Sequence, residues 1–536
     1  MESEEVSSLK LPRIATKRGG AVSPSLANFS GGSLAAAEPE EPVSPCGQMF
    51  CQPNMNCYIL CTLGFKNPIN LPEFRKTMEE SLVKHKRFHS VMKKNAKGTD
   101  VWVPTEVDID AHIFEPSGFS KEDFAAPHFV KNYIADLATA PSMSFSRPLW
   151  ECHVLNGTSG HAAAHMVLLM HHSLGDGTSL MSLLLASTRR VEHPDMLPSI
   201  PSKRKKQTAA LHTFLLSSLW KNFLIAWNTM IGLAYLFATV LWLKDSDTKI
   251  KGHAGEGMAQ KSVMFASISL DDMHLVKEAL NGTINDVFMG IVGAGLHRYL
   301  ESHYNALENP AGEPESRGEK RKVEGVTQIH GTVQNGVVNH RKNTSKLNCL
   351  RIRATVLINN RPSPGLQELA SMMDGGSQSP WGNRLGSLIF PIPLKYYSDP
   401  LDRIRAAKKT SDRMKASLEG AFTYYSGAFL MSITGPVLPT RIVEQLTLRT
   451  TLAVSNVPGP MEPVMFGGNP IVDIYAFTTG APQSLSVFFQ SYAGKASLVA
   501  LTSRDLIPDP DTLCHYMVDA LQEMKRAVLL LRQDSK

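Results

Sequence analysis

One stretch limits every architecture open to this chain. Asn222 to Leu243 carries no formal charge and is bounded by Lys221 and Lys244, which is about the ~20 residues that a helix needs to cross a bilayer. Trp220, Trp227, Tyr235 and Trp242 punctuate it; aromatic residues so distributed suit a membrane–water interface better than a soluble core. The bland alternative is a buried core helix. A single crossing would place everything after the segment on the far side of the membrane from everything before it, and no site could then draw on both halves. The wider apolar region from Gln207 to Leu243 is short for two complete spans and a turn. The segment is therefore expected to lie on one membrane face, as a shallow helical hairpin or an interfacial helix, with the basic cluster Lys203-Arg204-Lys205-Lys206 meeting anionic headgroups.

Chemistry-bearing residues come before it. His171-His172-Ser173-Leu174-Gly175-Asp176-Gly177 follows an apolar run, Ala162 to Met170, that reads as a buried strand, and precedes Thr178 to Thr188, which reads as a helix. The heptad is then a loop held between two rigid elements, with Asp176 where an N-cap belongs. A single histidine in a chain with 18 of them is most often a satisfied core or turn residue. Two adjacent histidines with a carboxylate four residues on make a compact acid/base unit. Imidazole titrates near neutrality, and a base needs a partner that fixes its ring.

At 536 residues the chain has room for two large domains or three average ones. A net charge of +6, with the basic residues locally clustered, gives little support to nucleic-acid binding and somewhat more to a membrane surface. Seven cysteines, with no CxxC pair and no histidine at ligand spacing, exclude an obvious zinc site and suit reduced thiols facing the cytosol. The acidic start Met1-Glu2-Ser3-Glu4-Glu5 does not resemble a secretory or organellar signal. Residues 1–42, rich in Ser, Gly, Ala, Pro and Glu, are expected to be a disordered tail.

Strands and helices intermix along the remainder. Asn56 to Phe65 reads as a strand, Leu71 to His85 as a helix with Pro72 in its first turn, Phe88 to Met92 and Val101 to Val107 as short strands, Phe129 to Leu137 as a helix, and Leu149 to Leu155 as a strand. Beyond the apolar segment, Ser262 to Ile268 is a strand and Leu270 to Leu280 a helix. Thr283-Ile284-Asn285-Asp286 opens another helix through Gly290, Gly293 and Gly295, glycines that suggest close packing of a neighbour. Asn305 to about Lys346 is a charged, Gly-rich surface insertion. Strands follow at Cys349 to Leu357, Leu385 to Ile392 and Thr451 to Ser455, with Pro400 to Leu418 as a helix and Asn456-Val457-Pro458-Gly459-Pro460 as a turn. A hairpin from Leu485 to Leu501 and a helix from His515 to Leu531 close the chain. No dinucleotide or Walker signature is present.

His171-His172-x-x-x-Asp176-Gly177 resembles the HHxxxDG motif of the CoA-dependent acyltransferase superfamily. Arg147-Pro148-Leu149-Trp150, Asn285-Asp286 and Ser455-Asn456-Val457-Pro458-Gly459-Pro460 resemble its plant wax ester synthase/diacylglycerol acyltransferase branch in particular. The DFGWG sequence of the soluble plant BAHD enzymes is absent. The resemblance implies an α/β fold with mixed sheets, in two chloramphenicol-acetyltransferase-like halves with a substrate tunnel between them. The first half would be residues 43–200 and the second 253–536, joined by a basic linker and membrane-associated segment at 201–252. It implies His172 as general base, Asp176 as an orienting residue bridged to an arginine, His171 as support, and Gly177, Pro148, Leu149, Trp150, Asp286, Asn456, Pro458 and Gly459 as structural motif positions.

The residues fit such chemistry on their own terms. An alcohol is a poor nucleophile at neutral pH, and an imidazole that accepts its proton during attack on a thioester is worth typically ~10²–10⁴-fold. Asn285, Ser484 and Thr479 are candidates to donate to the oxyanion. Fatty acyl-CoA is a substrate, and no metal or redox cofactor is implied. The expected reaction joins a fatty acyl group to a long-chain fatty alcohol, with diacylglycerol as a second acceptor, at the cytosolic face of the endoplasmic reticulum membrane; the plasma membrane is the other location considered. Two alternatives stand beside it: an acyltransferase of soluble alcohols, and a non-catalytic lipid-binding protein on the same fold.

Overall fold

The unbroken apolar run that ends at His171 becomes a strand buried along its whole length, and the first half of the molecule assembles around it. The computed structural model describes residues 41–534, except 118, 120–122, 125, 127, 140, 158–159, 202–213, 254, 256–258, 309–345 and 362–380. All but the last two residues of the expected disordered tail, the basic cluster at 203–206 and most of the expected insertion lie outside the described residues.

The strands among the described residues are β1 Glu41–Pro42, β2 Tyr58–Phe65, β3 Ser90–Lys94, β4 Asp100–Pro104, β5 Ile113–Phe114, β6 Trp150–Leu155, β7 Ala164–His171, β8 Arg189–Arg190, β9 Lys261–Ser269, β10 Arg353–Asn359, β11 Leu385–Pro391, β12 Leu452–Pro458, β13 Val464–Phe466, β14 Asn469–Thr479, β15 Leu485–Tyr492 and β16 Lys495–Ser503. They form a seven-stranded sheet in the order β5-β6-β7-β2-β14-β13-β8, a six-stranded sheet in the order β11-β10-β12-β15-β16-β9, and a small sheet β1-β4-β3. Parallel and antiparallel pairs occur in both large sheets, so the architecture is mixed α/β.

Each large sheet has its own apolar core. The first gathers Leu60, Leu63, Trp150, Met166, Val167 and Leu183. The second packs β10, β12, β15 and β16 under the helices Ile284–Glu308 and Pro510–Asp534. The three helical glycines of the former helix are explained by this packing. A Cβ at Gly290 would lie 2.8 Å from Ile404 Cγ1, one at Gly293 3.0 Å from the Pro393 carbonyl, and one at Gly295 2.4 Å from Met517 Cγ.

One strand does not respect chain order. β14, from the second half, pairs antiparallel with β2 along its length, from Ile471 opposite Phe65 to Thr479 opposite Tyr58, with a bulge between Ile471 and Asp473. At that bulge the Asp473 carboxyl occupies the space that a side chain at residue 64 would need: a Cβ on Gly64 would lie 2.3 Å from Asp473 Oδ1. No strand is expected here from the sequence pattern. Asn456 to Pro458, read from sequence as a turn, instead extends β12 and pairs in parallel with Phe489 to Ser491 of β15.

The apolar segment is one uninterrupted helix, Phe214–Leu241, so the hairpin form of the expectation is corrected to a single helix. It lies along the second half, docked at successive levels. Asn228 Nδ2 donates to the Ala416 carbonyl (3.1 Å), the Leu418 N–H donates to Thr229 Oγ1 (2.9 Å), and Arg449 Nη1 donates to the Thr239 carbonyl (3.2 Å). Just beyond its end, Asp245 forms a fully buried ion pair with Arg353 of β10 and also accepts from Thr451 Oγ1 (2.7 Å). A buried carboxylate must be paired and hydrogen-bonded to be tolerated, so this cluster fixes the helix end to the second sheet.

Two further helices, Glu419–Thr434 and Val437–Arg449, pack against each other and against the apolar helix, and the first of them also covers β11 at the second sheet's edge. Sequence periodicity gives no hint of the first of them, because Gly420 to Thr434 has no charge and no polar face.

Candidate active site

β7 delivers His171 and His172 to the end of the first sheet, and the helix Gly177–Ser187 starts on the last residue of the heptad. Asp176 is the N-cap of that helix, its Oδ1 accepting from the Ser179 N–H at 3.0 Å. Its other oxygen accepts from Arg361 Nη1 (2.6 Å) and from the Arg384 N–H (3.0 Å), and the ion pair with Arg361 is buried on both sides. All of these partners orient the loop.

His172 is buried, with its backbone N–H donated to the Cys57 carbonyl (2.9 Å). Its imidazole stacks on Phe50 at 4.2 Å between ring centres. Asn383 grips it twice: Nδ1–H donates to Asn383 Oδ1 (3.2 Å), and Asn383 Nδ2 donates to the His172 carbonyl (2.8 Å). With Nδ1 committed as donor, Nε2 is left as the basic nitrogen. Burial pushes the His172 pKa below the usual histidine range, against the raising effects of its own carbonyl, Asp176 and Asn383, and the ring is therefore neutral at physiological pH.

His171 is placed differently. Its Nδ1 accepts from Ser173 Oγ (2.7 Å) and from the Ser173 N–H (3.2 Å), and its Nε2 donates to Asn56 Oδ1 (3.0 Å). Both nitrogens are occupied, and burial lowers its pKa to about 4. Leu149 accepts the His171 N–H on its carbonyl (2.9 Å). Trp150, fully buried, donates its indole N–H to the Phe88 carbonyl (2.9 Å), so the Pro148-Leu149-Trp150 stretch braces the strand that carries the histidines.

Four consecutive residues that no sequence motif marks clamp the heptad. Trp381 Nε1 donates to the Leu174 carbonyl (2.7 Å), the Gly382 carbonyl accepts from Ser179 Oγ (3.1 Å) and from Arg361, Asn383 holds His172, and the Arg384 N–H meets Asp176. A Trp-Gly-Asn-Arg tetrad some two hundred residues downstream has no periodicity or spacing to betray it. Its one sequence signal is a tryptophan beside a glycine outside any strand or helix pattern.

His172 opens on a cavity of about 250 Å³ lined by both halves. Phe50, Met55 and Ile59 contribute from the first half, Leu357, Leu385, Ser455, Asn456, Val457 and Phe488 from the second, and Phe477 from β14. Gly177 also lines it, where a Cβ would lie 3.1 Å from Val457 Cγ2, so this glycine lets the first half's helix approach the second half's strand. Gly459 has a similar reason, since a Cβ there would lie 2.2 Å from the Ser491 carbonyl oxygen. The adjoining Pro458 is the last residue of β12. Cys46 and Cys57 reach the cavity as protonated thiols, their pKa values raised by burial to about 11 and about 12.

The three sequence-derived oxyanion candidates are not brought to this cavity. Thr479 Oγ1 is spent on the Ala138 carbonyl (2.6 Å), Ser484 is buried in the second half, and Asn285 lies exposed at the start of its helix. Asn285 does reach the site indirectly, because its Oδ1 accepts from the Nδ2 of Asn456, which lines the cavity. Asp286 caps the helix, its Oδ2 accepting from the Thr283 N–H and hydroxyl (2.8 Å each). Among the described residues no three His, Cys, Asp or Glu side chains converge as metal ligands would.

Comparison with known proteins matches residues 52–288 to the wax ester synthase/diacylglycerol acyltransferase catalytic domain and residues 381–525 to the WS/DGAT C-terminal domain. Wax ester synthase/diacylglycerol acyltransferase 11 of Arabidopsis thaliana is 33% identical over 91% of this chain and 96% of its own length. Wax ester synthase/diacylglycerol acyltransferase 1 of the same plant is 35% identical over 91% and 95%. The solved structure of a wax ester synthase/diacylglycerol acyltransferase from Marinobacter aquaeolei VT8 shares the fold at a TM-score of 0.51, with 17% identity over 91% of this chain and 99% of that one.

Proposed function

The chain belongs to the wax ester synthase/diacylglycerol acyltransferase family, and from that premise we propose that it transfers the fatty acyl group of acyl-CoA to the hydroxyl of a long-chain fatty alcohol, with diacylglycerol as a second acceptor. The observation that carries this reading is the buried, doubly held His172 on the wall of a largely apolar cavity shared by both halves.

The acceptor hydroxyl gives its proton to Nε2 as its oxygen attacks the thioester carbonyl carbon. The C–S bond then breaks, and the imidazolium returns the proton to the departing CoA thiolate. His172 serves as base and then as acid, and no acyl-enzyme forms. A base must be unprotonated and aimed, and the Asn383 contact provides the aim. Asn456, steadied by Asn285, is the side chain we assign to the oxyanion. Asp176 acts at one remove, holding the loop through Arg361.

The acceptor's long chain makes a bilayer its natural reservoir, and the apolar helix supplies the contact. Trp220–Leu241 is long and apolar enough to cross a membrane, yet only 11% of its apolar window is buried. Its repeated docking to the second half supports a helix lying in the interface beside the catalytic halves, which then share one side of the membrane. The free cysteines support a reducing, cytosolic side; the endoplasmic reticulum membrane is our proposal for which membrane that side belongs to.

The test is ester formation from fatty acyl-CoA with hexadecanol, diacylglycerol or a phenolic alcohol, identified by mass, for the unmodified chain and His172→Ala. Wax ester or triacylglycerol that falls ~10²–10⁴-fold in the variant is the expected result. Product from the phenolic alone, or undiminished activity of the variant, overturns the assignment.

A further inference from the structure

The helix Glu419–Thr434 has two apolar faces, and among the described residues only one of them is covered. Thr423, Tyr424, Gly427, Ala428 and Met431 line the cavity that holds His172. Phe422, Tyr425, Phe429 and Ile433, at three- and four-residue spacing on the other side, are exposed, Tyr425 and Phe429 each at 68%. Among the described residues the wall between the site and the outside is therefore this one helix, about 10 Å thick. Its bare stripe continues into Val437 and Leu438 on one side. On the other it adjoins the apolar helix with its exposed Trp220, Phe223, Trp227 and Phe237. Soluble proteins rarely expose so large a contiguous apolar surface unless it is used.

Hydrogen bonds to other elements hold the helix at one end only, the rest of it being held by apolar packing. Its first turn is fixed: the Glu419 side chain packs on Gly232 of the apolar helix, where a Cβ would lie 2.2 Å from Glu419 Oε2. The Gly420 carbonyl accepts from Asn360 Nδ2 (2.9 Å), and the Ser387 N–H donates to Thr423 Oγ1 (3.0 Å). Beyond Thr423 no hydrogen bond among the described residues ties it to another element. A Cβ on Gly427 would touch nothing within 4 Å, and Gly435 ends the helix at φ 69°, a left-handed conformation that relieves the chain of a side chain there. A rigid anchor, an unfilled midpoint and a glycine pivot are the parts of a lateral gate.

We propose that this helix is the gate by which the acyl acceptor passes sideways from the bilayer into the catalytic cavity, and that its outer stripe and the apolar helix rest together in the membrane surface. The occupant is a lipid bilayer, argued from the continuity of the bare stripe with the apolar helix on one side and with the cavity wall on the other. The proposal rests on the lipid-acyltransferase reading above.

The experiment compares the full chain with a Phe429→Asp/Ile433→Asp variant. It uses flotation with phosphatidylcholine/phosphatidylserine vesicles, and turnover of palmitoyl-CoA with hexadecanol held in those vesicles or octanol free in solution. Both substituted residues are exposed, and an unchanged thermal midpoint checks that the variant folds. Flotation and hexadecanol turnover should fall at least tenfold, with octanol turnover within twofold of the unmodified enzyme. Equal loss with both alcohols, undiminished hexadecanol turnover, or undiminished flotation overturns the gate. If the unmodified chain esterifies neither alcohol, the activity reading fails instead, and the flotation comparison still decides whether this stripe meets the bilayer.

Discussion

Asn383 and His172, 211 residues apart in the chain, hold each other through two hydrogen bonds, one to the imidazole and one to the backbone carbonyl of the same residue. The side-chain amide thereby sets the ring angle and the tautomer together. Asn383→Ala should lower kcat by about 10–100-fold with KM little changed, since the lost contact aims the base and binds no substrate. Asn383→Asp keeps an acceptor for Nδ1–H and adds negative charge. It should recover part of the rate while moving the acid limb of the pH–rate profile upward, a shift that general loosening of the fold would not cause.

Asp176 and Arg361 form a buried pair whose separation leaves an uncompensated charge. Arg361→Met should cost about 3–5 kcal/mol of stability, read as a lowered urea midpoint at unchanged slope. Adding Asp176→Asn to that variant should restore part of the loss. A single variant as stable as the parent would show that the loop is held by other contacts.

Because burial holds His172 below the usual histidine pKa, kcat/KM should stay on its plateau as pH falls through 6.5 and decline only at lower pH. Initial rates between pH 5 and 8 check this. An acid limb at or above 6.5 would contradict a buried, neutral base.

Stability should follow a different curve. His171 and His165, lowered by burial to about 4, and His85, lowered to about 3, take up protons in the unfolded chain below about 6.5 but not in the folded one, so their contribution shrinks as pH falls from 6.5 toward 4. Asp473, raised by burial to about 6, has the opposite sign: the folded state binds its proton first, and stability from this group grows as pH falls from above 6 to below 4. Asp473→Asn should therefore raise the denaturation midpoint at pH 8 and lose that advantage at pH 4. Denaturant titrations of parent and variant at pH 4, 6 and 8 would show it.

Much of this molecule is legible in its sequence because the informative contacts are local. The apolar run of β7, the N-cap Asp176 and the helix that follows are neighbours in the chain, and periodicity with cap chemistry finds them. The Trp381–Arg384 clamp escapes because its partners lie about 200 residues upstream and its backbone follows neither a helical nor a strand period. β14 escapes because a bulge at Asp473 breaks its alternation. The Glu419–Thr434 helix escapes because it is apolar on every side, and Asn456 to Pro458 because a Pro- and Gly-containing stretch at a strand end reads as a turn. Asn285 is a middle case: its motif is visible, but only the structure shows that it meets the cavity through Asn456.

The place of β14 has a consequence for biosynthesis. Asn67, just after β2, and Asn469, at the start of β14, are hydrogen-bonded across 402 residues of chain. On a ribosome adding about 5–20 residues per second, that interval lasts roughly 20–80 s. Throughout it the nascent first half carries an open, apolar strand edge of the kind that recruits another chain. Dense polysomes would bring several such edges together at once. Yield on heterologous expression should thus respond to translation rate and to strand-shielding chaperones more than to the stability of the finished enzyme.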